Sequence, residues 1–221
     1  MESPFGFETL FHLGPVPISR AVVTTWGIMA ALVLISWLGL RRARPDGGPV
    51  QTVLEILVGT IEDQIRAILQ RDPGPYLPLL GTLFLFVVSA NLSAILPGVK
   101  APTSRIETPA ALGLIVFLSI HWFGLKVQGL GGYLGHFLKP NPFLLPLTLL
   151  SEFTRILSLM VRLFGNMMSH ELILAILIYL AGFILPVPFM LLGVLIGVIQ
   201  AYIFTILATV YIGAAVGAVE T

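Results

Sequence analysis

Apolar residues gather into long runs separated by short polar breaks. Ala21–Leu40 runs 20 residues without a charge, the length needed to cross a bilayer. Further apolar runs cover 76–96, 109–125, 151–185 and 187–219, each long enough, or nearly so, to span. Residues 49–71 read differently: Val50, Val53, Leu54, Leu57, Ile61, Ile65 and Ile68 recur at helical spacing, while Gln51, Glu55, Glu62, Asp63 and Arg66 take other faces. That segment is too charged to span and predicts an amphipathic helix lying along the cytoplasmic interface. The pattern therefore predicts an all-α integral membrane protein with a single membrane domain over 1–221. About five transmembrane helices and one cytoplasmic-side amphipathic helix make it up. Residues 1–20, with Pro4, Gly6, Gly14, Pro15 and Pro17, predict an irregular or surface tail. Gly129, Gly131, Gly132 and Gly135 predict a flexible inner loop, and Pro-rich 140–150 a re-entrant or surface turn.

The last two helices are too long to stand upright. From Ile156 to Leu185 alone is 30 residues, roughly 45 Å of helix against a hydrocarbon core of about 30 Å. They predict a strongly tilted antiparallel hairpin turning at Pro186-Val187-Pro188, able to offer an extended face to a curved partner.

The first of this pair carries the candidate chemistry. Glu152, Arg155, Ser158, Arg162, Asn166 and Ser169 follow at steps of three or four and predict one polar stripe. Glu171 lies nine residues past Arg162, about 900° or half a turn away, and points to the opposite side. Charged groups inside a span cost roughly 2.5–3.5 kcal/mol each on insertion scales and mark ion paths or pairing sites. Arg162 keeps its proton and supplies a permanent positive charge. His170 and Glu171 are neighbours able to exchange protons. Asn166 and Gln200 are candidates to orient Arg162 or to line water, and Ser158 and Asn91 are weaker members of an ion path. Arg155 and Glu152 predict a solvated pair at the inner edge, and His121 an interfacial or structural histidine. The Gly193, Gly197, Gly213 and Gly217 series predicts close helix packing.

Composition narrows the class further. Of 221 residues 57% are hydrophobic and 10% charged, with mean hydropathy +0.97 and net charge +1. Soluble domains carry about 25% charged residues, so a membrane protein follows and no nucleic-acid partner is implied. There is no cysteine, which excludes disulfides and thiolate metal sites. No phosphate-cradling loop, nucleophile elbow or histidine cluster at metal spacing occurs, so neither cofactor nor metal is expected and nucleotide chemistry is excluded. The acidic start, with Glu2 and Glu8, reads against a cleavable signal. Expected inner segments hold Arg41, Arg42, Arg44, Arg66, Arg71, Lys126 and Lys139, and outer ones Arg20, Lys100 and Arg105. That bias predicts an outside N-terminus and a cytoplasmic C-terminus.

Arg162-Leu163-Phe164-Gly165-Asn166, followed by Glu171, closely resembles the signature of subunit a of rotary F-type ATP synthases. Gln200-Ala201-Tyr202-Ile203-Phe204-Thr205 continues the resemblance, as do Asn91-Leu92 and Pro102-Thr103 more weakly. It implies a stator subunit in a bacterial plasma membrane. Its partners would be the c-ring subunits, the peripheral-stalk b subunits, the rest of the complex and the lipid bilayer. It implies two aqueous half-channels, with Arg162 facing the ring. The chain departs from the family where Arg105 falls near an expected outer-loop acid; Glu107 is the nearest carboxylate. The choice of proton or sodium resides in the ring and not in this chain. A secondary transporter binding a small anion on Arg162 is the alternative, and it would need internal repeats that the chain lacks.

Overall fold

The computed structural model describes residues 9–13, 16–41, 48–96, 99–138, 145–182 and 184–217. Two short strands, β1 (Thr9–Leu13) and β2 (Val16–Ser19), pair antiparallel. Six helices follow: α1 (Arg20–Arg41), α2 (Pro49–Leu69), α3 (Leu77–Leu92), α4 (Glu107–Leu138), α5 (Leu145–Ala181) and α6 (Pro186–Ala215). Two 3-10 turns, Ser93–Ile95 and Pro102–Ser104, lie between α3 and α4. Five helices, all but α2, are long and apolar enough to cross a membrane. Charge excludes α2: its Arg66 and Glu62 pair at 2.8 Å on the exposed side, while Ile61, Ile65 and Leu69 are buried.

Three expectations need correction. The N-terminal tail is not irregular throughout, because Val16-Pro17-Ile18, with β-branched Val16 and Ile18, pairs antiparallel with Phe11-His12-Leu13. The Gly-rich inner loop is helical as far as Leu138, broken only at Gly129, whose φ of 70° no other residue adopts cheaply. The second half of the expected 140–150 turn, from Leu145, is the first turn and a half of α5. Proline is tolerated in a helix's first turn, where its missing N–H leaves no bond unmade, so Pro146 does not stop α5. Residues 140–144 lie outside the described residues.

The core sits where α3 and α6 cross, backed by α4. Leu80, Val87 and Ala90 of α3 meet Ala201, Phe204, Ala208 and Ile212 of α6, with Val116 of α4 beside them; all are fully buried. Small residues let these backbones approach, as packing within a bilayer requires. Thr205 and Thr209 donate to Ala201 O and Thr205 O, four residues back, so their hydroxyls cost nothing inside the bundle. At 37 and 30 residues, α5 and α6 measure roughly 55 and 45 Å. Both exceed the bilayer core and must tilt or protrude.

Candidate functional site

Everything in the site follows from how α5 is rotated. Ile156, Leu159, Leu163 and Met167, spaced three or four apart, are buried. They face the bundle through positions such as Gly113 of α4, where a Cβ would meet Met160 Cγ at 2.6 Å. A helix that buries Leu163 must turn Arg162, about 100° away, off that face. Ser158, Arg162, Asn166 and Ser169 are indeed exposed, along with Phe153, Val161 and Ile176. Only 11% of the α5 span is buried, against 39% for α3.

Arg162 has no hydrogen bond or ion pair among the described residues. Its guanidinium therefore stands as an unneutralised charge midway along the most open face of the long hairpin. One turn on, Asn166 Nδ2 donates to Oε1 of buried Gln200 at 2.6 Å. The two amides thus meet each other across α5 and α6, and neither has a described bond to Arg162.

Glu171 continues the buried stripe rather than the exposed one, four residues beyond Met167. Its Oε1 accepts the Ala101 N–H at 3.0 Å, and the Ser104 hydroxyl is a further partner. Lys100 and Arg105, on the same α3–α4 loop, act on its charge. The loop is thus folded onto the carboxylate. Glu107 does not take part in this: its Oε2 accepts from Ser19 Oγ at 2.8 Å, tying α4 to the N-terminal hairpin.

His170 is half-buried against α6, where Gly193 makes room for it. A Cβ at Gly193 would overlap the imidazole. A small cleft around His170 is lined by Asn91, Ile95, Met167, Met190 and Gly193. Asn91 itself is buried and spends both ends on protein. Nδ2 donates to Gly197 O at 2.8 Å and Oδ1 accepts from Thr103 Oγ1 at 2.7 Å. It braces α3, α6 and the α3–α4 loop together, with Gly197 leaving a hypothetical Cβ only 3.0 Å from Asn91 Cβ.

Toward the start of α5 a crevice is lined by Ser151, Thr154, Arg155, Ser158 and Tyr211. Arg155 lies over the Tyr211 ring at 5.8 Å. Glu152, expected beside Arg155, turns toward α4. It falls on the buried stripe, and its Oε2 lies 3.8 Å from His121 Nε2 of α4. This link, the Ala101–Glu171 bond and the Thr103–Asn91 bond were missed in the sequence. Glu152, Ile156, Leu159, Leu163, Met167 and Glu171 recur at helical spacing, and that register was the available signal.

Comparison with known proteins shows the family. Residues 22–213 match the family described as ATP synthase A chain. The chain is 57% identical over 219 residues to ATP synthase subunit a 2 of Bradyrhizobium sp. strain BTAi1, covering 98% of this chain and 97% of that one. It is 46% identical to ATP synthase subunit a 2 of Pelobacter propionicus (96% and 93% covered). It is 39% identical to ATP synthase subunit a of Legionella pneumophila strain Philadelphia 1 (99% and 96% covered). With its five apolar spans, the chain belongs to the ATP synthase A chain family, a membrane ion-translocating stator subunit of the F-type ATP synthase complex that is not catalytic by itself.

Proposed function

We propose that the open face of α5, with α6 beside it, lies against a ring of c subunits and passes ions between the two membrane sides. The observation that carries this reading is Arg162: a permanent charge in mid-span, exposed, and without a partner among the described residues. A bare guanidinium in a low-dielectric layer is costly, and a carboxylate arriving from outside the chain offsets that cost. Arg162 draws the proton or ion off each ring carboxylate as it passes and blocks direct leakage between the two paths. Ions reach the ring through an outer half-path past Glu171 and His170 and leave through an inner one by the Ser158–Arg155 crevice. Asn166 and Gln200 border the Arg162 face, and Asn91 braces the outer path instead of carrying charge. Each charge moved releases about 2.3 kcal/mol per 100 mV, which the ring turns into torque. The peripheral-stalk b subunits cover the remaining apolar surface, including sparsely packed α1. The setting is a bacterial plasma membrane, with the N-terminus outside and the C-terminus cytoplasmic.

Because the chain has no cysteine, single introduced thiols test the two half-paths. Ser158→Cys and His170→Cys are placed in assembled complex in vesicles and exposed to a small water-soluble thiol reagent on either side. The reading expects block of ATP-driven pumping from the inner side at 158 and from the outer side at 170. Block of both from one side contradicts two half-paths.

A further inference from the structure

A seam between α2 and α6 has walls suited to hydrocarbon and a rim suited to a polar group. Ile56, Leu57 and Ile61 of α2 line it with Tyr202 and Ile206 of α6 and Phe84 of α3, around a space of about 320 Å³. Small-ligand sites run from about 300 to 1,000 Å³. Three threonines also line the seam, but each has spent its hydroxyl hydrogen on its own helix. Thr60 donates to Ile56 O at 2.7 Å, Thr205 to Ala201 O and Thr209 to Thr205 O. The walls therefore offer a polar ligand no free donor, and burying one there is costly. The rim differs. Ile56, Thr60 and Gln64 form one row along α2 at steps of four, and Gln64 ends it. Gln64 Oε1 accepts the Tyr202 hydroxyl at 3.1 Å, which leaves Nε2 with two hydrogens and no partner among the described residues. Asp63, three residues past Thr60 on the flank of that row, is exposed and has no ion pair among the described residues. Glu62 and Arg66 beside it pair with each other. An amphipathic helix such as α2 lies where hydrocarbon meets the polar layer of a bilayer. That is the depth of a lipid's esters.

We propose that the seam holds one acyl chain of a zwitterionic aminophospholipid, with Gln64 donating to its ester carbonyl and Asp63 facing its ammonium headgroup. The walls select a hydrocarbon tail over a peptide or a polar solute. The unspent amide hydrogens fit an ester oxygen, and an unpaired carboxylate favours a headgroup that ends in a cation over an anionic one. The tail fills the gap beside α6 and seals α2 to the bundle. The site is separate from the Arg162 face. Tyr202 stands two residues, about 200°, from Gln200, which meets Asn166 of α5. Among the described residues none from α1 lines the seam, so b subunits docked on α1 leave it open. The proposal stands or falls without the role of Arg162.

The test uses assembled complex in phospholipid vesicles that carry a trace of phosphatidylethanolamine with a photoreactive diazirine midway along one acyl chain. After illumination, mass spectrometry locates the labelled residues. Label is expected within 56–65 and 202–209, and it should fall to background in Thr60→Trp, which fills the seam from its exposed edge. Ile56→Trp, also at an exposed position, replaces that variant if it does not assemble. An ether-linked probe, which lacks the carbonyl, should label roughly threefold to tenfold less, the size of one hydrogen bond's net contribution. A phosphatidylglycerol probe with the same chain should label about twofold to fivefold less, as for an exposed ion pair, and Asp63→Asn should remove that difference. Absence of label from both stretches in the unaltered complex, as when another subunit covers the seam, overturns the proposal, and so does label that the filling variants leave unchanged. Equal labelling by the ester and ether probes overturns the role of Gln64, and equal labelling by the two headgroups overturns that of Asp63.

Discussion

The two faces of α5 obey opposite rules, although they belong to one helix and lie only about 100° apart. On the inward face each polar group has a partner: Glu171 has the Ala101 N–H and the Ser104 hydroxyl, and Glu152 has His121. On the outward face Arg162 has none among the described residues, and apolar side chains such as Val161 stand exposed around it. A protein complete in itself would neutralise an intramembrane arginine with one of its own carboxylates, and two are at hand on the same helix. Both are instead held on the other side. The difference marks the inward face as fold and the outward face as an interface whose remaining half lies on another chain.

If that division is real, substitutions should lose stability in proportion to how far they reach inward. Asn91→Leu strands Gly197 O and the Thr103 hydroxyl in the core. It should lower stability by about 2–4 kcal/mol, read as an earlier thermal unfolding transition in detergent. Gly193→Val drives a methyl into the His170 imidazole, an overpacking that costs about 1–3 kcal/mol. Adding His170→Ala should recover most of that loss, and a failure to recover would mean that the α5–α6 approach is set elsewhere. Glu171→Gln keeps an acceptor for Ala101 N–H and exchanges a carboxylate for an amide. Its stability should change by no more than about 1 kcal/mol while ATP-driven ion pumping falls. Arg162→Ala should leave the unfolding transition within about 0.5 kcal/mol of the unaltered protein, as expected of an exposed group without partners. A large destabilisation by Arg162→Ala would erase the contrast between the faces.

How much of this could be read from the chain depends on where the information lies. Spans announce themselves through apolar runs, and α1, α3 and α4 begin close to where charge or proline marks them. Helix ends were harder. Pro146 reads as a breaker, yet in the first turn of α5 it removes a donor that has no use. Gly129 interrupts α4 once, and Gly131, Gly132 and Gly135 after it remain helical, since a glycine weakens a helix by only about 1 kcal/mol and does not by itself end one. The opposition of Arg162 and Glu171 was legible because it follows from angle alone. The partners of Glu171 and Glu152 were not: which loop folds over the first, and which helix passes the second, are set by how α4 crosses α5. Glu152 shows the same limit, since a stripe wide enough to hold it with Arg155 overlaps the edge of the buried face.

The central claim is that Arg162 works on a partner outside this chain. The direct measurement is ATP-driven ion uptake into vesicles carrying the assembled complex, with Arg162→Ala beside the unaltered protein, repeated with and without Na⁺ to identify the ion. The account predicts that pumping is lost while assembly and the unfolding transition are unchanged. Normal pumping by a fully assembled Arg162→Ala complex would contradict it and would leave the chain a passive anchor.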